Sequence, residues 1–347
     1  MVEKITFFMG TDRSAFSTSP SGVTDYTGSG FNGENFPPSG AGLSFNANVV
    51  GIYAEANLIN PNTGQFTTTS DFWTHVRVKT FELSASRQFL VWYNDQGAAV
   101  VRLYSDANRA MYLQYSSDLG TTWINASNDA FDTGVTQSGT DLDVRIKIHP
   151  TQGRIELYVN SQNYQLATNI NTSALGSGIS KFRLFRISTF INSNSTYNSV
   201  IAANYCTIGH TLRIRKITGN GDLSQWTGGF AGVGEYPTSD DDYVSTSIAG
   251  NRSTFTGATL TATPSGNVIK AVGVQVRGRN DASGVAPQDI TASLRIASTN
   301  YDAPSTTPLL AGNDGRQYIW NNDPSTGLPW TSITSVNNTQ PGVLSKN

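Results

Sequence analysis

The chain has 347 residues, enough for two ordinary domains or one large β domain, because cores rarely grow past roughly 250 to 300 residues before splitting. A charged fraction of 14% and a formal net charge of −2 leave no basic field for a phosphate backbone, which excludes nucleic acid as a partner. The lone Cys206 excludes an intrachain disulfide and a cysteine metal framework, and its ordinary role is that of a small buried hydrophobe.

The opening "MVEKITFFMGTDRS" has neither a basic leader nor an apolar run of signal length, and nowhere do about 18 apolar residues follow one another. No membrane insertion and synthesis in a cytoplasm are expected. From Thr11 to Ser44 the chain is dominated by Gly, Ser, Pro and Asn, with Phe16, Tyr26, Phe31 and Phe36 spaced along it. This reads as a long surface loop or arm pinned onto a neighbouring core.

Strand-like runs follow: "FWTHVRVKTFEL" from Phe72, "RQFLVWYN" from Arg87, "AAVVRLYS" from Ala98 and "AMYLQYS" from Ala110. Each is rich in β-branched and aromatic residues and bounded by Asn, Asp, Gly or Ser. In Asp141 to Gln162, Leu142, Val144, Ile146 and Ile148 face one way, and Asp143, Arg145, Lys147 and His149 the other. Ile155, Leu157 and Val159 repeat the pattern after a turn, which predicts a hairpin with one wet face. "KFRLFRIS" from Lys181 and "TLRIRKI" from Thr211 predict two more strands.

After Ile217 the Gly-rich "TGNGDLSQWTGGFAGVGEYPTSDDD" is poor in strand signal and marks a boundary. Strands resume at "DYVSTSIAG" from Asp242, Val268, Asp289 and Arg316. The fold class predicted is all-β: two β-sandwich, jelly-roll-like domains over 1–217 and 218–347.

Chemistry is harder to find. Glu3, Glu34, Glu55, Glu82, Glu156 and Glu235 are scattered, so no glycosidase pair of carboxyls is presented within one strand. His75, His149 and His210 are isolated, and no phosphate loop or nucleophile elbow occurs. A non-enzyme is therefore expected. Asp240 and Asp242 could share one side of an extended segment, which makes them weak candidates for calcium, but two carboxylates fall short of its shell of six to eight oxygens. The plainer reading is a solvated, polar lead-in to a strand, and no cofactor is expected.

Sugars stack on exposed Trp and Tyr while Asn, Asp and Arg take their hydroxyls. Trp92, Tyr93, Tyr104, Tyr112, Tyr115 and Trp123 cluster in sequence with Asn94, Asp95, Arg102 and Asp118 between them, and Trp92, Tyr93 and Trp123 with those four polar residues are the candidates for a glycan site. An aromatic in a strand is more often core than platform, and Trp123 in a turn-like stretch is the best candidate for exposure.

"LDVRIKIHPTQGRIELYVNSQ" resembles the hairpin of concanavalin A-like and laminin G-like jelly rolls, with Tyr158, Val159 and Asn160 matching and Ser161 standing where Gly is commoner. That resemblance implies a fold that hosts lectins, hydrolases and inert modules alike. The second part, through Asp240 to Val244, Val272 to Arg279 and Asp323 to Thr331, resembles a domain recurring in structural proteins of tailed bacteriophages and gene transfer agents. It implies a virion protein assembled in a bacterial cytoplasm, a fibre, spike or decoration component whose jelly roll contacts host glycan. Its implied partners are other virion proteins and further copies of itself in a homo-oligomer; a purely structural cement or connector of head, neck or tail stays open.

Overall fold

A computed structural model describes residues 4–8, 15–18, 23–26, 42–45, 52–58, 60, 67–79, 85–130, 139–185, 195–234, 241–261, 268–280, 287–304, 307–308 and 314–347. The fold is all-β, built of antiparallel sheets. The chain divides into two compact units, one of residues 6–59 and 66–212, the other of 2–5, 60–65 and 213–347.

In the first unit an eight-stranded sheet runs in the order Gln162–Ile170, Gly153–Val159, Thr140–Lys147, Asp71–Lys79, Ser195–Ala203, Gly42–Phe45, Val23–Tyr26, with Ile5–Phe8 also paired to Ser195–Ala203. A seven-stranded sheet runs Trp123–Asn125, Met111–Ser116, Ala99–Ser105, Arg87–Asn94, Ile179–Phe185, Tyr53–Asn57, Ser17–Thr18. Their inward faces share one core that includes Trp92, Phe72, Phe89, Phe182 and Tyr197. Trp92 joins the layers through a 2.8 Å hydrogen bond from its Nε1 to Thr74 Oγ1.

The hairpin predicted at Asp141 is present. Leu142, Val144 and Ile146 lie opposite Val159, Leu157 and Ile155, and all are buried except the partly buried Val159. Asn160 and Ser161 then take positive φ of 48° and 67°, the pair of left-handed residues that a tight two-residue turn needs. The other face is not wet as expected. Asp143 and Glu156 are 0% and 2% exposed, and Thr207, from the segment after the last strand of this sheet, donates to Asp143 Oδ1 at 2.7 Å.

The Thr11–Ser44 segment is not simply an arm. Its described parts supply the strands Ser17–Thr18, Val23–Tyr26 and Gly42–Phe45, and Phe16 packs edge-on against Phe7 at 5.0 Å between ring centroids. Phe31 and Phe36 lie outside the described residues.

The second unit has a six-stranded sheet ordered Ile217–Ser224, Arg252–Gly257, Gln340–Lys346, Asp289–Ile296, Thr299–Asp302, with Thr307–Pro308 beside Asp289–Ile296. The pair Val272–Gly278 and Asp314–Trp320 forms a second sheet. Ala292, Leu294, Tyr318, Trp320 and Trp330 make the core, and a short helix, Ile333–Asn337, is capped by Ser332 accepting from Ser335 N. Among the described residues no helix is long and apolar enough to cross a membrane.

Two expectations fail here. Residues 211–216 form no strand; Arg215 is instead half-buried and donates to main-chain carbonyls of Gly257, Ala258, Val336, Asn337 and Thr339. The strand is the Gly-rich Ile217–Ser224, where a Cβ on Gly221 would collide with Thr254 and Gln340. Glycine there permits close approach of neighbouring backbone and side chains rather than marking a linker. "DYVSTSIAG" likewise forms no strand, only the single bridge between Thr227 and Ser245.

Candidate functional site

Side chains alternate across a strand, so the outward positions of the seven-stranded sheet follow from its register. Trp123 pairs with Ser116 and Asn125 with Gln114; Gln114 pairs with Arg102, and Tyr112 with Tyr104. Two strands further on, Lys181 pairs with Tyr93 and Asn57, and Arg183 with Glu55. One sheet face thus carries aromatic rings, amides and cations in adjacent rows.

Arg102 is the centre of the first row. Its guanidinium carbon stands 4.0 Å from the Trp123 ring centroid and 4.4 Å from that of Tyr104. Its Nε donates to Gln114 Oε1 at 2.7 Å, and Gln114 Nε2 donates onward to Asn125 Oδ1 at 2.8 Å. Burial lowers the Arg102 pKa. Ring contacts of this kind contribute about 0.5–2 kcal/mol each and hold the guanidinium plane in place.

Arg183 centres the second row. It donates to Glu55 Oε2 at 2.7 Å and to the Tyr93 hydroxyl at 3.1 Å, and lies 4.1 Å from the Tyr53 ring centroid. Lys181 reaches the same Glu55 oxygen at 3.1 Å. Burial raises the Tyr93 pKa, with Arg183 opposing it.

Of the residues singled out in the sequence, Tyr93, Arg102 and Trp123 share this face. Trp92 and Asn94 are corrected out of the candidate set, since both are 0% exposed. Trp92 points inward because it neighbours the outward Tyr93, and Asn94 folds its own turn by accepting from Gln96 N and Ala98 N. Asp95 and Asp118 are exposed but organise loops: Ser177 bonds Asp95 and lowers its pKa, and Thr122 does the same for Asp118. Tyr104, a member of the same aromatic cluster in the sequence, also lies there, and Tyr53, Glu55, Gln114, Asn125, Lys181 and Arg183 join the site without having been singled out for it.

The outward face of the eight-stranded sheet gathers a second polar set. Arg145 donates twice to Asp71, from Nε at 3.1 Å and Nη2 at 2.9 Å, and lies 3.6 Å from Glu156. Glu156 also accepts from Arg154 at 2.9 Å and from the Tyr158 hydroxyl at 3.2 Å. Burial, then the charge of Glu156, pushes the Tyr158 pKa up to about 12. His75 Nδ1 is 3.0 Å from Asp143, and Trp73 stacks on Tyr158. Cys206, expected to be buried, is exposed. Scatter along the sequence therefore did not mean scatter in space: Asp71 and Glu156, far apart in the chain, are joined through one arginine.

Asp240 lies outside the described residues, and Asp241 and Asp242 are exposed. Among the described residues no group of three or more His, Cys, Asp or Glu could hold a metal ion.

No family model and no curated protein matches the chain. Solved structures do. The alginate lyase Aly36B is 11% identical over 47% of this chain and 79% of its own, with a TM-score of 0.33. The cellulose-induced protein Cip1 is 12% identical over 58% and 94%, at 0.35. A carbohydrate esterase from the Shiga toxin-encoding bacteriophage phi24B is 14% identical over 58% and 99%, at 0.36. Two of these three are named as enzymes of carbohydrate. The expectation of a non-enzyme does not stand, because the scatter of acids on which it rested is not kept in the fold, where Arg145 joins Asp71 to Glu156. The likeness is weak, concerns fold alone, and assigns no residue.

Proposed function

We propose that the chain is a surface component of a tailed-phage particle whose first unit binds glycan on the outward face of its seven-stranded sheet. The observation that carries the glycan reading is Arg102, held against Trp123 and Tyr104 beside the Gln114–Asn125 amide pair. A pyranose offers an apolar face to a ring and hydroxyls to amides and guanidinium groups, and this row carries all three partners. The phage setting rests on the resemblance of residues 218–347 to a virion domain. In that setting the partners are other virion proteins and further copies of the chain, since weak sugar contacts gain by avidity.

A second reading, turnover of a glycan seated instead on the outward face of the eight-stranded sheet, is favoured by Asp71, Arg145, Glu156 and Tyr158 converging there. Both readings are tested by presenting the wild-type chain and Trp123→Ala to an array of bacterial surface polysaccharides, and by assaying the bound glycans for new reducing or unsaturated ends. Binding that Trp123→Ala weakens supports the glycan face, and absence of binding to every polysaccharide removes it. New chain ends that Tyr158→Phe or Glu156→Gln abolishes support turnover.

A further inference from the structure

We infer that this face selects acidic glycans, with Arg102 taking the carboxylate of a uronic or sialic type of sugar. The inference rests on the glycan reading above and narrows it to a substrate class. Among the described residues no carboxylate pairs with Arg102. Its neighbours are two aromatic rings and the Gln114 amide, and only Nε is hydrogen-bonded, which leaves Nη1 and Nη2 as open donors. The chain of bonds runs from Arg102 to Gln114 to Asn125, so its direction is set: Gln114 and Asn125 each spend their carbonyl oxygen as acceptor, and the exposed Asn125 keeps its amide hydrogens. Both ends of the chain are donors facing outward. A group rich in acceptors completes it, and a carboxylate matches the guanidinium fork in shape and charge.

The charge along the sheet agrees. Among the described residues, outward positions carry Arg102, Lys181 and Arg183 against the single carboxylate of Glu55, which already serves both Lys181 and Arg183. On the other sheet of this unit, three arginines are matched by acids: Arg145 with Asp71, Arg154 with Glu156, Arg77 with Asp141. Among the described residues, Arg102 is therefore the cation of this face left without an anion, and the inference assigns that place to the glycan. A half-buried guanidinium between rings has lost part of its hydration, so an arriving carboxylate gains more there than at an open surface.

The test uses the full chain with polygalacturonate, polymannuronate and polysialic acid, each beside its methyl ester, together with neutral polysaccharides. Wild type is expected to bind at least one acid polymer about tenfold more tightly than its ester, a preference that shrinks as ionic strength rises. Arg102→Met is expected to bind acid and ester within about twofold of each other, and Arg102→Lys to recover only part of the preference. Equal binding of acid and ester by wild type, or binding of neutral glycans alone, overturns this inference and leaves the glycan reading standing. Absence of binding to any polysaccharide overturns both. A preference retained in Arg102→Met also overturns it, and if that variant does not fold, a salt-independent preference in wild type does so.

Discussion

The guanidinium carbon of Arg102 lies 4.0 Å from the ring centroid of Trp123, although the two residues sit on strands separated by a third, Met111–Ser116. The arginine spans that strand by bonding the Gln114 amide on it. Trp123 belongs to the edge strand, so its ring is held by this contact more than by the core. Trp123→Ala should weaken glycan binding by about five- to thirtyfold, equivalent to ~1–2 kcal/mol, and change thermal stability little. Titration calorimetry beside a melting curve separates the two effects.

Arg215 ties the end of the Ile333–Asn337 helix to the strand Arg252–Gly257 through its carbonyl contacts, including 2.6 Å bonds to Asn337 O and Thr339 O. Arg215→Met removes the donors and strands several carbonyls. Destabilisation by about 2–4 kcal/mol is expected, and Arg215→Lys should not rescue it, because an ammonium cannot reach carbonyls spread around a planar fork. Denaturant unfolding followed by the fluorescence of Trp320 and Trp330 would report it.

Ser161 holds φ at 67° in the turn after Val159. A side chain in that left-handed region costs roughly 1 kcal/mol that glycine avoids. Ser161→Gly should therefore stabilise the fold by about 0.5–1 kcal/mol, read as a higher denaturation midpoint at unchanged slope.

Tyr158 should contribute to alkaline unfolding. Its pKa in the fold is about 12, against an ordinary value near 10, so the folded state keeps a proton that the unfolded chain releases between those values. Its contribution is complete below pH 10 and is lost as pH rises toward 12. Melting temperatures across that window should fall more steeply for wild type than for Tyr158→Phe.

Part of this was legible in the sequence. The alternation from Leu142 to Val159 fixes which residues meet the core, and Arg102 and Trp123 are near one another because three successive antiparallel strands keep local residues together. Glu55 and Arg183 were not legible as partners, since strands that are not consecutive in sequence place Tyr53–Asn57 beside Ile179–Phe185. Adjacent Trp92 and Tyr93 point to opposite faces, and composition does not say which of two aromatic residues faces the core. The glycines of Ile217–Ser224 resemble linker residues until the side chains pressing against them are seen.

The measurement that bears most directly on the glycan face is hydrogen exchange of the first unit with and without a polysaccharide selected from the array. Slowed exchange is expected in the loops and edge strand around Ala99–Ser105, Met111–Ser116 and Trp123–Asn125. Protection confined instead to Thr140–Lys147 and Gly153–Val159, with none at Trp123–Asn125, would contradict the assignment and move the binding face to the other sheet.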